Sequence, residues 1–435
     1  MVKESNHSSI RLGIVQPRRD FVQFWVGVAE QLNDSIDVSF FSLQEKARDM
    51  LVQLGQVRYP LKMKTEQGAP LSLEACLAAL PKQMVEPGTE HAVQAEFNSL
   101  YLSLKKYVER EKITALLLWN GYKLIDKAAL LLAKEKGLDV IYGENGYFPN
   151  TMQLARQGVN YGSAIREQVE HGWRDINMDD AKYQQLLSMM DDFRTGKVQY
   201  KAPVTKVKPS LKLTVSSELK KLFSPRPQRK KQHHNTEIDF CNSDLPERFV
   251  FLPFQVRRDS QVKYFSPLVG DSMEKLLEVT RNAVAKVDAA LPIVVKLHPQ
   301  DLQHTCYDQL AKKYPEVVWI KDKNVKEILA KASLVVTVNS TVGIEALIFK
   351  KPVITLGESI YNCAEGVWHV RELSHFEVAV AQALSASVDA KEVDRFLYHL
   401  YYECLAHGTY RNHCESSYLA VAKRLSRVVL SNRDT

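Results

Sequence analysis

Four stretches of the chain end an apolar run in residues that could carry chemistry. PIVVKLHPQ breaks from β-branched residues into Lys296, His298 and Pro299, and ASLVVTVNSTVGIEAL breaks into Asn339, Ser340 and Thr341 before continuing as a helical pattern. RFVFLPFQVRRDSQ runs into Gln255, Arg257, Arg258, Asp259 and Gln261; DVIYGENGYFPN runs into Glu144, with Asn160 further on. In an open α/β sheet, the residues just past the carboxyl ends of the strands line the ligand crevice. Hydroxyls at a helix start, beside unpaired N–H groups and the positive end of the helix dipole, favour an anion. A histidine and Lys296 nearby would add a proton or a positive charge. On consecutive βα units, these groups suit the phosphate of a nucleotide leaving group. Taken singly they have plainer readings: Ser340 and Thr341 as helix caps, His298 as a structural histidine.

The Asp259 stretch combines a carboxylate, two arginines and two amides, a set that suits sugar binding and reaction; alone it reads as a solvated loop. Glu144, after its own strand, suits a general base for an acceptor hydroxyl, and Asn160 suits a hydrogen bond to a sugar. E-N-G is also ordinary turn chemistry. The acidic pairs Asp179–Asp180 and Asp191–Asp192 follow no strand and read as solvated faces. Cys404, His407, His413 and Cys414 read as part of a C-terminal helix and its following turn. No metal is therefore expected. P-loop and G-x-G-x-x-G fingerprints are absent.

The elements that must position these groups alternate. RLGIVQP, DVSFFSL, TALLLWN and DVIYGEN read as strands separated by helical stretches, one of which stops at Gly137. After a break the alternation resumes with RFVFLPFQ, PIVVKLHP, EVVWIKD, ASLVVTVNS and PVITLG. This predicts an α/β protein with two parallel-sheet domains and a cleft between them. The expected divisions are a first Rossmann-like domain over 1–193, a basic linker or membrane-contacting segment over 194–245, a second Rossmann-like domain over 246–390, and C-terminal helices packing back on the body over 391–435.

The 435 residues, 45% hydrophobic and 25% charged, suit a soluble globular protein of two or three domains. No apolar run is long enough to span a bilayer, and the N-terminus lacks the apolar stretch of a signal peptide. The six cysteines form no C-x-x-C pair, which predicts free thiols and a cytoplasmic location. Residues 194–231 carry 12 Lys and Arg against one acid, Glu218, although the whole chain is only +7. The rest is thus mildly acidic. The basic stretch is either a solvated linker or a contact with the anionic inner membrane surface. No aromatics are interleaved with its bases to stack on nucleobases, so nucleic acid is not expected.

Taken together, ENGYFPNTMQLARQGVN, LPFQVRRDSQV, VKLHP and VNSTVGIEAL, in that order, resemble the bacterial capsule polysaccharide biosynthesis family, the retaining β-Kdo glycosyltransferases that use CMP-Kdo. The resemblance covers roughly residues 140–370. It implies a GT-B glycosyltransferase of two Rossmann-like domains, with a lipid-linked or oligosaccharide acceptor and no cofactor beyond the sugar donor. It matches His298 and Pro299 to a His-Pro motif whose histidine meets the CMP phosphate, and Ser340 and Thr341 to a Ser/Thr motif holding the same phosphate. Asp259, within Gln255-x-x-x-Asp259-x-Gln261, matches the suggested nucleophile, and Glu144 matches the carboxylate that handles the acceptor proton. The sequence leaves these two roles exchangeable. Arg257 or Arg258 would pair with the Kdo carboxylate. Some members carry two transferase modules; this chain carries one.

Two other readings stand beside this one. A glycerol- or ribitol-phosphate transferase of the teichoic-acid type would share the His-Pro motif but leave Asp259 without a task. A non-catalytic glycan assembly or export subunit would keep the fold without needing the carboxylates.

Overall fold

The computed structural model describes residues 10–55, 69–197 and 244–431. Residues 198–231 of the basic segment, and with them its expected membrane contact, lie outside the described residues.

The first unit runs β1 (Ile10–Val15), α1 (Arg19–Ala29), β2 (Ile36–Phe41), α2 (Glu45–Gln53), α3 (Leu73–Ala78), α4 (Glu90–Glu111), β3 (Ala115–Trp119), α5 (Leu124–Lys136) and β4 (Asp139–Asn145). Helix α5 ends at Gly137, which takes the left-handed conformation that relieves the last carbonyls. Strand β5 (Met152–Ala155) folds back antiparallel on β4, giving the order β2-β1-β3-β4-β5. The turn between them closes tightly: the Gly146 N–H donates to Thr151 O at 2.8 Å, and a Cβ at Gly146 would collide with Thr151. Two helices follow, α6 (Ile165–Gly172) and α7 (Asp180–Arg194).

The second unit runs β6 (Val250–Pro253), α8 (Ser260–Tyr264), α9 (Met273–Val287), β7 (Ile293–Lys296), α10 (Asp308–Lys313), β8 (Val318–Ile320), α11 (Val325–Lys331), β9 (Leu334–Thr337), α12 (Val342–Ile348), β10 (Val353–Thr355) and β11 (Val367–His369). Every strand pairing given for this sheet is parallel. Strands covered on both faces must be apolar along their length, and β6 and β9 are buried at every residue. The order β11-β10-β9-β6-β7-β8 places β6 between β7 and β9. Counted from β6, this is the doubly wound 3-2-1-4-5-6 arrangement, whose crevice opens where the winding reverses, between β6 and β9. The strands before His298 and Ser340 are thus neither consecutive, since β8 lies between them in the chain, nor neighbours in the sheet, which corrects the expectation of consecutive βα units. Each flanks the strand that leads to Asp259.

The chain closes with α13 (Phe376–Ser385), α14 (Ala390–His399), a π-turn at Leu400–Cys404 and α15 (Glu415–Leu430). The two units exchange helices. Ile165 of α6, Trp173 just past it, and Leu186 and Phe193 of α7 lie in one core with Phe251 and Val335 of the second sheet and Ile344 of α12. Val421, Leu425 and Val429 of α15 share the core of Ile10, Leu12 and Trp25 in the first. The boundary expected at 193 therefore divides the sequence but not the cores. The predicted architecture is present: two Rossmann-like α/β units around a cleft, the GT-B arrangement. Among the described residues, no helix is long and apolar enough to cross a membrane.

Candidate active site

The cleft holds a cavity of about 300 Å³ lined from both units. The first contributes Asn120, Glu144, Asn145 and Asn160; the second contributes Gln255, Asp259, Gln261, His298, Asn339, Ser340 and Thr341; the C-terminal stretch adds Thr409 and Arg411.

The floor is a hydrogen-bonded lock at the switch point. Gln255, buried just after β6, accepts from the Thr337 hydroxyl and from the N–H groups of Val338 and Asn339, at 3.1–3.2 Å, while its own amide donates to Asn339 Oδ1 at 3.0 Å. Asn339 Nδ2 in turn donates to the carbonyls of Gln261 and Phe265 at 2.9 and 3.2 Å. With both hydrogens of that amide used, the Asn339 side chain positions α8 while lining the cavity. Gln255 likewise serves to join β6 to the end of β9 more than to present itself to a sugar.

Helix α8 starts at Asp259, whose Oδ1 accepts from the Gln261 N–H at 2.8 Å. That leaves the exposed carboxylate oriented by its own helix. The side-chain nitrogen of Gln261 is buried with no hydrogen-bond partner among the described residues. Such a donor is costly until a ligand oxygen answers it, by about 1–3 kcal/mol. The same helix grips the first unit: Tyr264 stacks on Tyr122 at 5.0 Å, and Phe265 meets Tyr161 edge-on at 5.7 Å. The position of Asp259 is therefore coupled to how the two units sit together.

Beyond β7, His298 Nδ1 accepts from the Gln300 N–H at 3.1 Å, so a neutral ring carries its proton on Nε2. Beyond β9, Ser340 Oγ accepts from the Val342 N–H at 3.2 Å, and Tyr361 donates to the Ser340 carbonyl at 2.5 Å. Gly343 makes room for the Tyr361 ring, which any Cβ there would strike. Thr341 makes no side-chain cap bond. The two hydroxyls thus differ in task. Ser340→Ala is expected to lower stability by about 1 kcal/mol through loss of a cap. Thr341→Val is expected to leave the melting temperature unchanged. Thermal unfolding of both variants checks this, and equal melting losses would refute the division.

Across the cleft, Glu144 is the penultimate residue of β4. Its Oε1 accepts from the N–H and side-chain amide of Asn145 at 2.7 and 2.9 Å, and its Oε2 accepts from Asn120 at 2.9 Å. Burial raises the Glu144 carboxyl above the ordinary glutamate range, outweighing these three donors, and the charge of Asp259 adds a further push. Asn160, held with φ at +53°, accepts at Oδ1 from Tyr147 and Gln153 at 2.7 and 2.8 Å. Its Oδ1 is spent on the framework.

Four expected residues are not among those lining the cavity. Lys296 donates to the Lys321 carbonyl at 2.8 Å. Arg257 lies 3.7 Å from Asp301 and bonds the Thr305 hydroxyl, facing a separate depression with Cys306 and Tyr307. Arg258 is exposed and Pro299 forms part of the turn before Asp301. The physical reason is common to the two arginines: the loop turns after Val256 so that Asp259, and not its predecessors, enters the cleft.

The sequence reading missed Asn120, Glu358, Thr409 and Arg411. Asn120 obeys the same strand-end rule as Glu144 and could have been found by it. Arg411 follows a helix, and only the return of the chain to the first unit brings it to the cleft. Cys404, His407, His413 and Cys414 do not converge: the His407 ring meets Tyr401, His413 meets Tyr418, and burial pushes the Cys404 thiol up to about 12. Asp179 caps α7, and Asp191 and Asp192 lie near its end. Among the described residues, no group of three or more His, Cys, Asp or Glu could hold a metal ion.

A doubly wound unit and a second α/β unit, meeting at a cavity with two carboxylates, a histidine and a hydroxyl-bearing helix start, define a two-domain α/β protein with a candidate active site in its cleft. The chain belongs to the capsule polysaccharide biosynthesis protein family, whose model matches residues 114–412. It is 28% identical over 253 residues to protein FixF of Sinorhizobium fredii, covering 58% of this chain and 51% of FixF. It is 32% identical over 127 residues to the capsule polysaccharide export protein KpsS of Escherichia coli, covering 28% of this chain and 32% of KpsS. The matches thus span about half or less of these two relatives. Among solved structures it is similar to the β-Kdo 2,4 transferase of Thermosulfurimonas dismutans KpsC, at 18% identity and a TM-score of 0.47, covering 72% of this chain and 87% of that one.

Proposed function

We propose that the protein is a retaining β-Kdo transferase that moves Kdo from CMP-Kdo to a lipid-linked or oligosaccharide acceptor in surface polysaccharide synthesis. The observation that carries this is the meeting of Asp259, Glu144, His298 and Thr341 around one cavity. Asp259 lies on the unit that bears the His298 and Thr341 anion groups, and Glu144 lies opposite with a raised carboxyl. That division suits a double displacement. An Asp259 oxygen attacks the ketosidic carbon of Kdo, and the bond to the phosphate oxygen breaks. CMP departs with its charge met by His298 and the start of α12. The acceptor hydroxyl then gives its proton to Glu144 and attacks the same carbon, breaking the bond to Asp259. Two inversions give retention, and no metal enters the scheme.

The deciding experiment offers CMP-Kdo and CDP-glycerol separately and follows nucleotide release by chromatography. CMP release from CMP-Kdo alone supports the reading. Release of CMP from CDP-glycerol alone would transfer the protein to the teichoic-type class, and binding without release from either would favour an assembly subunit.

We further propose a peripheral position on the inner face of the inner membrane, since a lipid-linked acceptor is met there and the basic segment 194–231 suits an anionic leaflet. Salt-sensitive sedimentation with anionic vesicles is expected. It should weaken when Lys220, Lys221, Arg229, Lys230 and Lys231 are changed to Gln, and unchanged binding would count against this placement.

A further inference from the structure

A second depression, of about 640 Å³, opens where the two units exchange helices, among α6, the stretch leading into α7, the end of α14, the π-turn and α15. Among the described residues it shares no lining side chain with the cleft cavity. Two of the side chains that line it, His399 and Arg424, are more than nine-tenths buried. Each keeps one polar atom without a hydrogen-bond partner among the described residues: Nδ1 of His399 and Nε of Arg424.

The polarity of both atoms is fixed by their surroundings. His399 Nε2 lies 3.0 Å from the Gln168 carbonyl and donates to it. Burial holds the imidazole below the ordinary histidine range, so the ring is neutral and Nδ1 offers a lone pair. Gly172 gives that ring its seat, since a Cβ there would strike His399 Cε1. Arg424 donates from Nη1 to the Glu403 carbonyl of the π-turn at 2.8 Å, and its Nε–H is a donor still to be answered. A fully ionised anion answers Arg424 but brings no proton to His399. An ammonium group answers His399 but offers no lone pair to Arg424. A hydroxyl-bearing ligand does both. The surrounding charge agrees: Asp175, Asp179 and Glu403 balance Lys182, Arg424 and Arg427 along the same lining. The volume falls within the roughly 300–1,000 Å³ of small-molecule sites and far exceeds the ~30 Å³ of one water.

We propose that this depression binds a neutral, hydroxyl-rich ligand, a sugar unit of a glycan chain, whose hydroxyls donate to His399 Nδ1 and accept from Arg424 Nε. The site is independent of the cleft chemistry and does not rest on the transferase reading. A glycan held here would also touch the π-turn, from which the chain runs on through Ala406, paired with Met152, to Thr409 and Arg411 of the cleft.

The test uses the full chain and saturation-transfer NMR. The probes are the methyl glycosides of glucose, galactose, N-acetylglucosamine and rhamnose, the methyl glycoside of glucuronic acid as the charged counterpart, and glycerol. At least one neutral glycoside is expected to bind wild type, and the glucuronide and glycerol to bind about tenfold more weakly or less. Arg424→Met and His399→Phe each remove one of the unanswered groups and should weaken that binding by about tenfold. Asn177→Trp, at the exposed rim, should block it with the melting temperature unchanged, which keeps the test decisive where a buried variant folds poorly. A wild type silent toward every neutral glycoside would mean that water alone answers the two atoms. Undiminished binding in Asn177→Trp would place the sugar elsewhere, and glycerol or glucuronide binding as tightly would make the occupant a small polyol or an acid. Each of these results overturns the assignment.

Discussion

Asp259→Ala is expected to abolish the mass gain of one Kdo residue that the proposed mechanism predicts for the wild-type chain on mixing with CMP-Kdo, and to lower transfer by about 10⁴-fold or more, the scale seen when a covalent nucleophile is removed. The argument is positional. Asp259 begins α8 beyond β6, the strand at the switch point, and β7 and β9 lead to His298 and Ser340 on either side. In the proposed double displacement, a carboxylate there is the one placed to face the carbon from which the phosphate departs. Its Oδ1 is steadied by the Gln261 N–H at 2.8 Å, and α8 is tied down by Asn339. The substitution removes one cap of a five-residue helix, so the loss in stability should be about 1 kcal/mol, far too small to imitate loss of the nucleophile. Donor binding measured with CMP should survive. An adduct that still forms in Asp259→Ala would move the nucleophile elsewhere, and Glu144 would be the first residue to test.

The lock formed by Gln255 and Asn339 shows what could and could not be read from the chain. Strand-end logic found both residues, because each follows a run of buried apolar side chains. It could not tell a side chain that faces the ligand from one that joins two strand ends, since that depends on the order of β6 and β9 in the sheet. Lys296, Arg257 and Arg258 are not among the residues lining the cavity for a related reason. A strand end specifies which loop borders the crevice, whereas the turn within the loop decides which side chain enters it. Asp259 enters because it caps α8. The strands themselves were legible wherever burial on both faces demanded unbroken apolar runs. Strand β5 was not, because MQLA is four residues long and pairs antiparallel through a turn that reads equally well as a loop. The exchange of α6, α7 and α15 between cores was also hidden: amphipathic helices announce a buried face but not the sheet that covers it.

Glu144→Gln is expected to do the opposite of Asp259→Ala at the first step while also stopping transfer. If Glu144 serves only the acceptor proton, the Kdo–Asp259 adduct should still form and should now accumulate, because the step that clears it has lost its base. Turnover should fall by about 10²- to 10⁴-fold, the usual worth of a positioned general base. The pH profile gives an independent reading. Burial raises the carboxyl of Glu144 in the folded protein, and a base works only when deprotonated. Activity should therefore be lost on the acid side through an apparent pKa above the ordinary glutamate value of about 4.3, and Glu144→Gln should lack that limb. The same shift acts on stability with a definite sign. A carboxyl whose pKa is higher folded than unfolded favours the fold when protonated and loses that contribution as pH rises through the folded value. The wild type is thus held at a disadvantage at neutral pH by the charge that catalysis needs. Accumulating adduct together with a missing acid limb would fix Glu144 as the base. Loss of adduct in Glu144→Gln, with retention in Asp259→Ala, would exchange the two roles.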